Sequence, residues 1–191
     1  MHAAGCVRAR RYRAAKGVKL QFGCGPKGKT GWLNVDLFGK PDLRLDLRRP
    51  MPFPDGFASR IYSEHFLEHL DYPWTVQLFL SECHRLLESR GRIRIGVPDS
   101  EYPLKHYLPD AAIKPWPGHP DWVHTSLDQI DYLFRMNNSE HWDEHRHSWD
   151  FETLALRLRA TGFREIVLSE YDDSIDSEDR RWGTLYVEAL K

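Results

Sequence analysis

The stretch VKLQFGCGPKGKTGWLNVDL, residues 18–37, decides the fold class. Residues 18–22 read as a short strand, and Gly23 ends it. Residues 33–37 read as a second strand. Between them Gly23-Cys24-Gly25 forms a turn in which glycine permits positive φ and lets a ligand approach the backbone. Only ten residues separate Phe22 from Leu33. Parallel strands usually need a dozen or more connecting residues, including a helix. The first crossover helix is therefore expected to be missing or reduced to a turn. Gly23, Gly25 and Gly28 spell G-x-G-x-x-G, but Pro26 interrupts it. Without a helix N-terminus a dinucleotide pyrophosphate loses its anchor. A plain glycine-rich turn is the bland alternative.

Outward from that stretch, strands and helices alternate. Residues 42–47 (DLRLDL) make a third strand, and the proline-rich run 48–56 is a loop. Residues 59–63 make a fourth strand. A largely buried helix is expected from about 74 to 89, with Gly91 as its stop. A fifth strand covers 92–97, ended by Pro98-Asp99. The segment from Ser100 to about Pro120 holds five prolines and several aromatics, and reads as a long irregular excursion. Helices follow at about 126–136 and 150–161, the second capped by Asp150 and stopped by Gly162. Residues 164–168 and 185–190 are closing strands. The charged run EYDDSIDSEDRR between them reads as a solvated loop. This alternation implies a three-layer α/β sandwich with a mostly parallel, seven-stranded sheet, whose ligands gather at the carboxyl ends of the strands.

The chain has 191 residues, 41% hydrophobic and 29% charged, with a formal net charge of −1. That balance fits a globular protein and argues against bulk disorder. It also disfavours nucleic acid as a partner. No stretch approaches the ~18 apolar residues a membrane helix needs. Three scattered cysteines rule out a disulfide scaffold and fit a reducing cytosol. Residues 1–17 are basic and read as a solvated tail, which leaves residues 18–191 as one domain with an aromatic-rich insert at about 100–149.

Asp36 ends the second strand, where a carboxylate can accept hydrogen bonds from a ribose diol. Asp46 ends the third, where it can meet an adenine amino group. These acids follow the glycine turn in order. Together with the segments DLRLDLRRPMPFPDGFASRIYSEHFLEHL and ECHRLLESRGRIRIGVPD, they resemble a class I S-adenosylmethionine-dependent methyltransferase of the methyltransferase type 11 kind. The resemblance covers residues 19–99, with a weaker echo in DFETLALRLRATGF. It implies a Rossmann-like fold and S-adenosylmethionine as cofactor. It places Gly23, Cys24 and Gly25 against the methionine part. Asp36 and the adjoining Leu37 lie at the ribose, and Asp46 and Leu47 at the adenine. Ser63, Glu64 and His65 line the methyl-transfer face. Gln21 stands where many relatives carry an acid.

Methyl transfer from a sulfonium needs alignment and exclusion of water; a base is needed only where the acceptor loses a proton. His65 is the candidate catalytic residue, as base or acceptor contact. His65, Glu68 and His69 spell H-x-x-E-H, a spacing that can bind a metal. It is similar to the E-x-x-E-H element of metal-assisted O-methyltransferases, with His65 replacing the first acid. Related domains often carry this segment without a metal. Glu68 and His69 are read as packing and hydrogen-bonding residues, and no metal ligand is assigned. Tyr102, His106, His141, His145 and His147 are candidate acceptor-binding residues, because aromatics stack and imidazoles hydrogen-bond. The same aromatics fit a satellite core or a homodimer contact. The expected activity is methyl transfer, favouring oxygen, to a small-molecule or glycan-type acceptor. The alternatives are a non-catalytic cofactor-binding module of the same fold and, more remotely, a nicotinamide-dependent enzyme.

Overall fold

Alternation along the strands sorts the chain into an apolar and a polar sheet face. In β1 (Val18–Phe22), Leu20 and Phe22 lie on one face and Gln21 on the other. The structure is a computed structural model that describes residues 1–107, 121–135 and 144–191. β1 pairs in parallel with β2 (Leu33–Asp36) and β4 (Ala58–Glu64), Leu20 meeting Leu33 and Ile61. β3 (Leu43–Arg44) extends one side. β5 (Leu87–Pro98), β7 (Thr184–Leu190) and β6 (Arg164–Ser169) extend the other, β7 antiparallel to both neighbours. The order is β3-β2-β1-β4-β5-β7-β6. This is the expected seven-stranded, mostly parallel sheet. The order reverses between β1 and β4, which opens a crevice at their carboxyl ends.

The apolar face forms one cluster with α1 (His2–Ala9), α2 (Trp74–Leu86) and α5 (Phe151–Thr161). α2 sets Val76, Phe79, Leu80, Cys83 and Leu86 at helical spacing, and all five are fully buried. Each contributes roughly 1.5–3 kcal/mol of transfer free energy. α5 begins where the Asp150 carboxylate accepts the Thr153 N–H at 2.7 Å. It ends at Gly162, whose φ of +106° only glycine adopts readily.

The opposite face presents Gln21, Tyr62, Glu64, Arg94, Tyr186 and Glu188. Among the described residues its cover is two connecting segments, 25–32 and 170–183, rather than helices. The first crossover is helix-free, as its ten-residue length requires.

Several sequence expectations need correction. Residues 1–17 are not wholly a solvated tail. α1 packs on β3 so closely that a Cβ on Gly5 would sit 2.0 Å from the Arg44 carbonyl oxygen. The helix after β4 ends at Leu86, and Leu87 is already extended, so Gly91 lies inside β5 instead of stopping a helix. β3 is two residues long because its flanking acids turn aside: Asp42 accepts from Asn34, and Asp46 from Arg48. The excursion after β5 begins with a helix, α3 (Glu101–Tyr107), and α4 (Ser126–Arg135) follows. Among the described residues no helix is long and apolar enough to cross a membrane.

Candidate functional site

The glycine loop is held from three sides. The Gly23 N–H donates to the Val35 carbonyl at 3.0 Å, with φ +67°. Gln21 supplies both ends of its amide: Oε1 accepts the Lys29 N–H at 2.8 Å, and Nε2 donates to the Lys27 carbonyl at 3.1 Å. Asp36 closes the loop. Its Oδ2 accepts the Gly25 N–H at 2.7 Å and its Oδ1 the Phe38 N–H at 2.9 Å. One side of Gly25 is open, since a Cβ there would meet nothing within 4 Å. The Cys24 thiol is pushed up to about 12 by burial and by nearby Asp36, so it stays protonated and unreactive.

Phe66 lies directly over Gly23, where a Cβ would fall 2.4 Å from the Phe66 Cβ. Gly23→Ala is therefore expected to displace the ring and the loop together. It combines an unfavourable φ with an overlap, which costs about 1–3 kcal/mol or more. A urea titration of the variant against the parent chain reads that loss.

The other residues assigned to the cofactor fall into different settings. Leu37 is half-buried, and its carbonyl accepts from Arg44 Nη1 at 2.9 Å. Asp46 accepts Arg48 Nε at 2.8 Å, and that bond holds its carboxyl below the usual range. Leu47 is part of the hydrophobic core. Ser63 is buried on the apolar face of β4. Glu64 points the other way. It accepts from the Ser177 hydroxyl at 2.5 Å, the Ser177 N–H at 3.1 Å and the Tyr186 hydroxyl at 2.9 Å.

The carboxyl end of β4 carries the densest chemistry. His65 adopts φ +49°, rare for a residue with a side chain, and its N–H donates to the Gly96 carbonyl at 2.9 Å. Its Nδ1 accepts from Arg180 Nη1 at 3.0 Å, so Nε2 holds the hydrogen and donates to Thr184 Oγ1 at 2.9 Å. Burial first, then Arg180 and the neighbouring imidazoles, hold its pKa well below the ordinary value, and the ring is neutral at pH 7. Glu68 follows in a 3-10 turn over Leu67–His69, its Oε1 3.5 Å from His65 Nδ1. The backbone of residues 146 and 147 docks on this turn: the Arg146 N–H donates to the Glu68 carbonyl at 2.8 Å. That docking brings His145 beside His69, ring centroids 5.2 Å apart.

The proposed acceptor residues are thus divided. His145 joins the Glu68–His69 cluster. His147 instead stacks on Tyr72 at 3.7 Å and meets Trp149 edge-on. Tyr102 sits half-buried in α3. His141 and Trp116 lie outside the described residues, as does the side chain of His106.

The sequence reading missed the contribution of residues 170–183. Ser177 and Arg180 reach Glu64 and His65 from a run read as solvated, and Thr184, at the start of β7, also meets His65. Lys27 also pairs with Asp179 across the glycine loop. One signal was available: apolar Ile175 within an otherwise charged run marks a segment that packs.

Comparison with known proteins agrees with this architecture. Residues 35–95 match a family described as a methyltransferase domain. No match was found among curated proteins. Among solved structures, the chain is similar to a SAM-dependent methyltransferase from Archaeoglobus fulgidus, with 19% identity and a TM-score of 0.56 over 99% of this chain and 94% of that one. A SAM-dependent methyltransferase from Methanosarcina mazei gives 13% and 0.59, covering 96% of each chain. The 1,6-didemethyltoxoflavin-N1-methyltransferase of Burkholderia thailandensis, solved with its substrate and S-adenosylhomocysteine, gives 15% and 0.55 over 98% and 76%.

Proposed function

We propose that this chain is a class I S-adenosylmethionine-dependent methyltransferase, as the match of residues 35–95 and the likeness in fold support, and that it methylates a hydroxyl oxygen of a small-molecule or glycan-type acceptor. The observation that carries the donor half is Asp36, at the end of β2 and bonded to the glycine loop. An ionised carboxylate offers about four lone-pair directions, and Gly25 and Phe38 take two. The remaining directions suit a ribose diol. The open side of Gly25 suits the methionine part, Leu37 adjoins the ribose beside Asp36, and Asp46 borders the adenine edge.

The acceptor half rests on the groups beyond β4. His65 carries a lone pair that can take the proton a hydroxyl loses as it becomes an ether. Bound in the crevice, the cofactor would supply an electrophilic methyl, and the C–S electron pair would stay on sulfur as the acceptor oxygen bonds to carbon. His65 Nδ1 holds a lone pair and takes the departing proton once Arg180 turns aside. Glu68, 3.5 Å away, stabilises the imidazolium that results. Arg180 and Ser177, from the segment over the polar face, help to exclude water.

The test uses methyl-labelled cofactor with matched alcohol and amine acceptors, and the product is located by mass and NMR. Label on oxygen supports the reading; label confined to nitrogen or carbon overturns the hydroxyl assignment. His65→Gln is expected to lower kcat by roughly 100-fold or more while S-adenosylhomocysteine affinity holds. An unchanged kcat removes His65 from catalysis.

A further inference from the structure

Three side chains beyond the carboxyl end of β4 converge on one point. Glu68 Oε1 lies 3.8 Å from His69 Nε2 and 4.0 Å from His145 Nε2. Ligand atoms of all three residues fall within 4.8 Å of one another. These separations are too long for hydrogen bonds. They are close to the spacing of donors around a single ion. With metal–ligand bonds of about 2.0–2.2 Å, two ligands of one ion sit roughly 3–4.4 Å apart.

The tautomers point the same way. His69 Nδ1 lies 3.2 Å from the Glu144 carbonyl oxygen, and His145 Nδ1 lies 2.6 Å from the Leu133 carbonyl oxygen. A carbonyl only accepts, so each Nδ1 carries the hydrogen. That leaves each Nε2 as the ligand atom on the side of the Glu68 carboxylate. An outer N–H donated to a backbone carbonyl is the support that metal-bound imidazoles carry. The site is also built into the fold. The Glu68 side chain is 1% exposed and that of His145 6%, and the two segments are tied through the Glu68 carbonyl.

We propose that Glu68, His69 and His145 bind one divalent transition-metal ion of the zinc or cobalt type. Two imidazoles and one carboxylate suit such ions better than calcium or magnesium, which prefer all-oxygen sites. The placement gives the ion a task, and this consequence rests on the methyltransferase reading. Beside His65, it takes the acceptor oxygen as a further ligand and lowers the hydroxyl pKa.

The test uses the full-length, tag-free chain, stripped with a chelator and titrated with Co2+. One Co2+ per chain is expected, with a visible absorption band that Zn2+ displaces. Glu68→Gln and His145→Asn are each expected to weaken Co2+ binding by more than the roughly 10–100-fold that an outer-shell change costs. S-adenosylhomocysteine titration runs alongside. Both variants keep that affinity, since neither residue touches the glycine loop, and this shows that they fold. A parent chain that binds S-adenosylhomocysteine without developing the band overturns the proposal, as does a band that survives both substitutions. Cobalt binding without S-adenosylhomocysteine binding leaves the metal site standing and overturns the methyltransferase reading instead.

Discussion

Asp36→Ala is expected to weaken S-adenosylhomocysteine binding by roughly 100-fold or more. The carboxylate has two tasks, and alanine removes both. It accepts the Gly25 and Phe38 N–H groups, which fixes the loop between β1 and β2. Its remaining lone pairs are assigned to the ribose diol. Hydrogen bonds to a charged group contribute about 1.5–3 kcal/mol each, and about 2.7 kcal/mol corresponds to 100-fold in affinity. Losing one ribose bond and the loop's preorganisation is enough to reach that figure. Asp36→Asn separates the two tasks. Its amide retains one acceptor oxygen, so it can hold Gly25 or the ribose well, but not both. An intermediate affinity is expected. Calorimetric titration of the three proteins reads the series, and thermal melts report whether the variants fold. A folded Asp36→Ala chain that binds as well as the parent would remove Asp36 from the donor site.

Much of the frame was legible because the polymer itself enforces it. Ten residues between Phe22 and Leu33 cannot hold a crossover helix, and none forms. The spacing of apolar residues in 74–86 gives a helix with one buried face, and Asp150 and Gly162 mark the ends of α5. The errors lie where side chains override local pattern. DLRLDL alternates like a strand over six residues, yet Asp42 and Asp46 bind Asn34 and Arg48 and leave a two-residue ladder. The basic run at the N-terminus hides Gly5 and Ala9, two small residues four apart that let α1 settle on β3.

The site was legible only in its local parts. Gly23, Gly25 and Asp36 sit within one short stretch, and the Gly25–Asp36 bond joins them. The groups around His65 come from three distant segments. Glu68 and His69 follow it within one turn, His145 arrives from 80 residues further on, and Arg180 and Thr184 come from the last hairpin. No periodicity in one sequence announces such a meeting. H-x-x-E-H and the histidines of HWDEHRHSWD were each visible, but only the docking of residues 146 and 147 on the Glu68 carbonyl joins them.

The largest stability effect is expected at Asp176, in the segment that replaces helices on the polar sheet face. Arg94 projects from the middle of β5, its side chain only 8% exposed. Asp176 meets it with both oxygens, at 2.9 and 2.5 Å, and is itself fully buried. The same carboxylate accepts the Tyr62 hydroxyl at 3.2 Å and the Asp172 N–H at 2.8 Å. Burial, with Glu64 and Asp176 beside it, raises the Tyr62 pKa far above its ordinary value, so this phenol remains a donor. Asp176→Ala leaves Arg94 with Glu188 and the Glu170 carbonyl, and takes one acceptor each from Tyr62 and Asp172. Breaking a buried pair on one side costs about 3–5 kcal/mol, a large share of the roughly 5–15 kcal/mol that holds such domains together. Replacing both partners with apolar residues of similar size, Arg94→Met with Asp176→Leu, removes the uncompensated charge and is expected to cost much less than Asp176→Ala. Urea denaturation of the single and double variants measures both terms. A loss under about 1 kcal/mol for Asp176→Ala would mean that the segment lies loosely on the sheet, as a surface ion pair does. Ser177 and Arg180 follow Asp176 directly, so a loss of the expected size also makes the Glu64 and His65 contacts depend on the Arg94–Asp176 anchor.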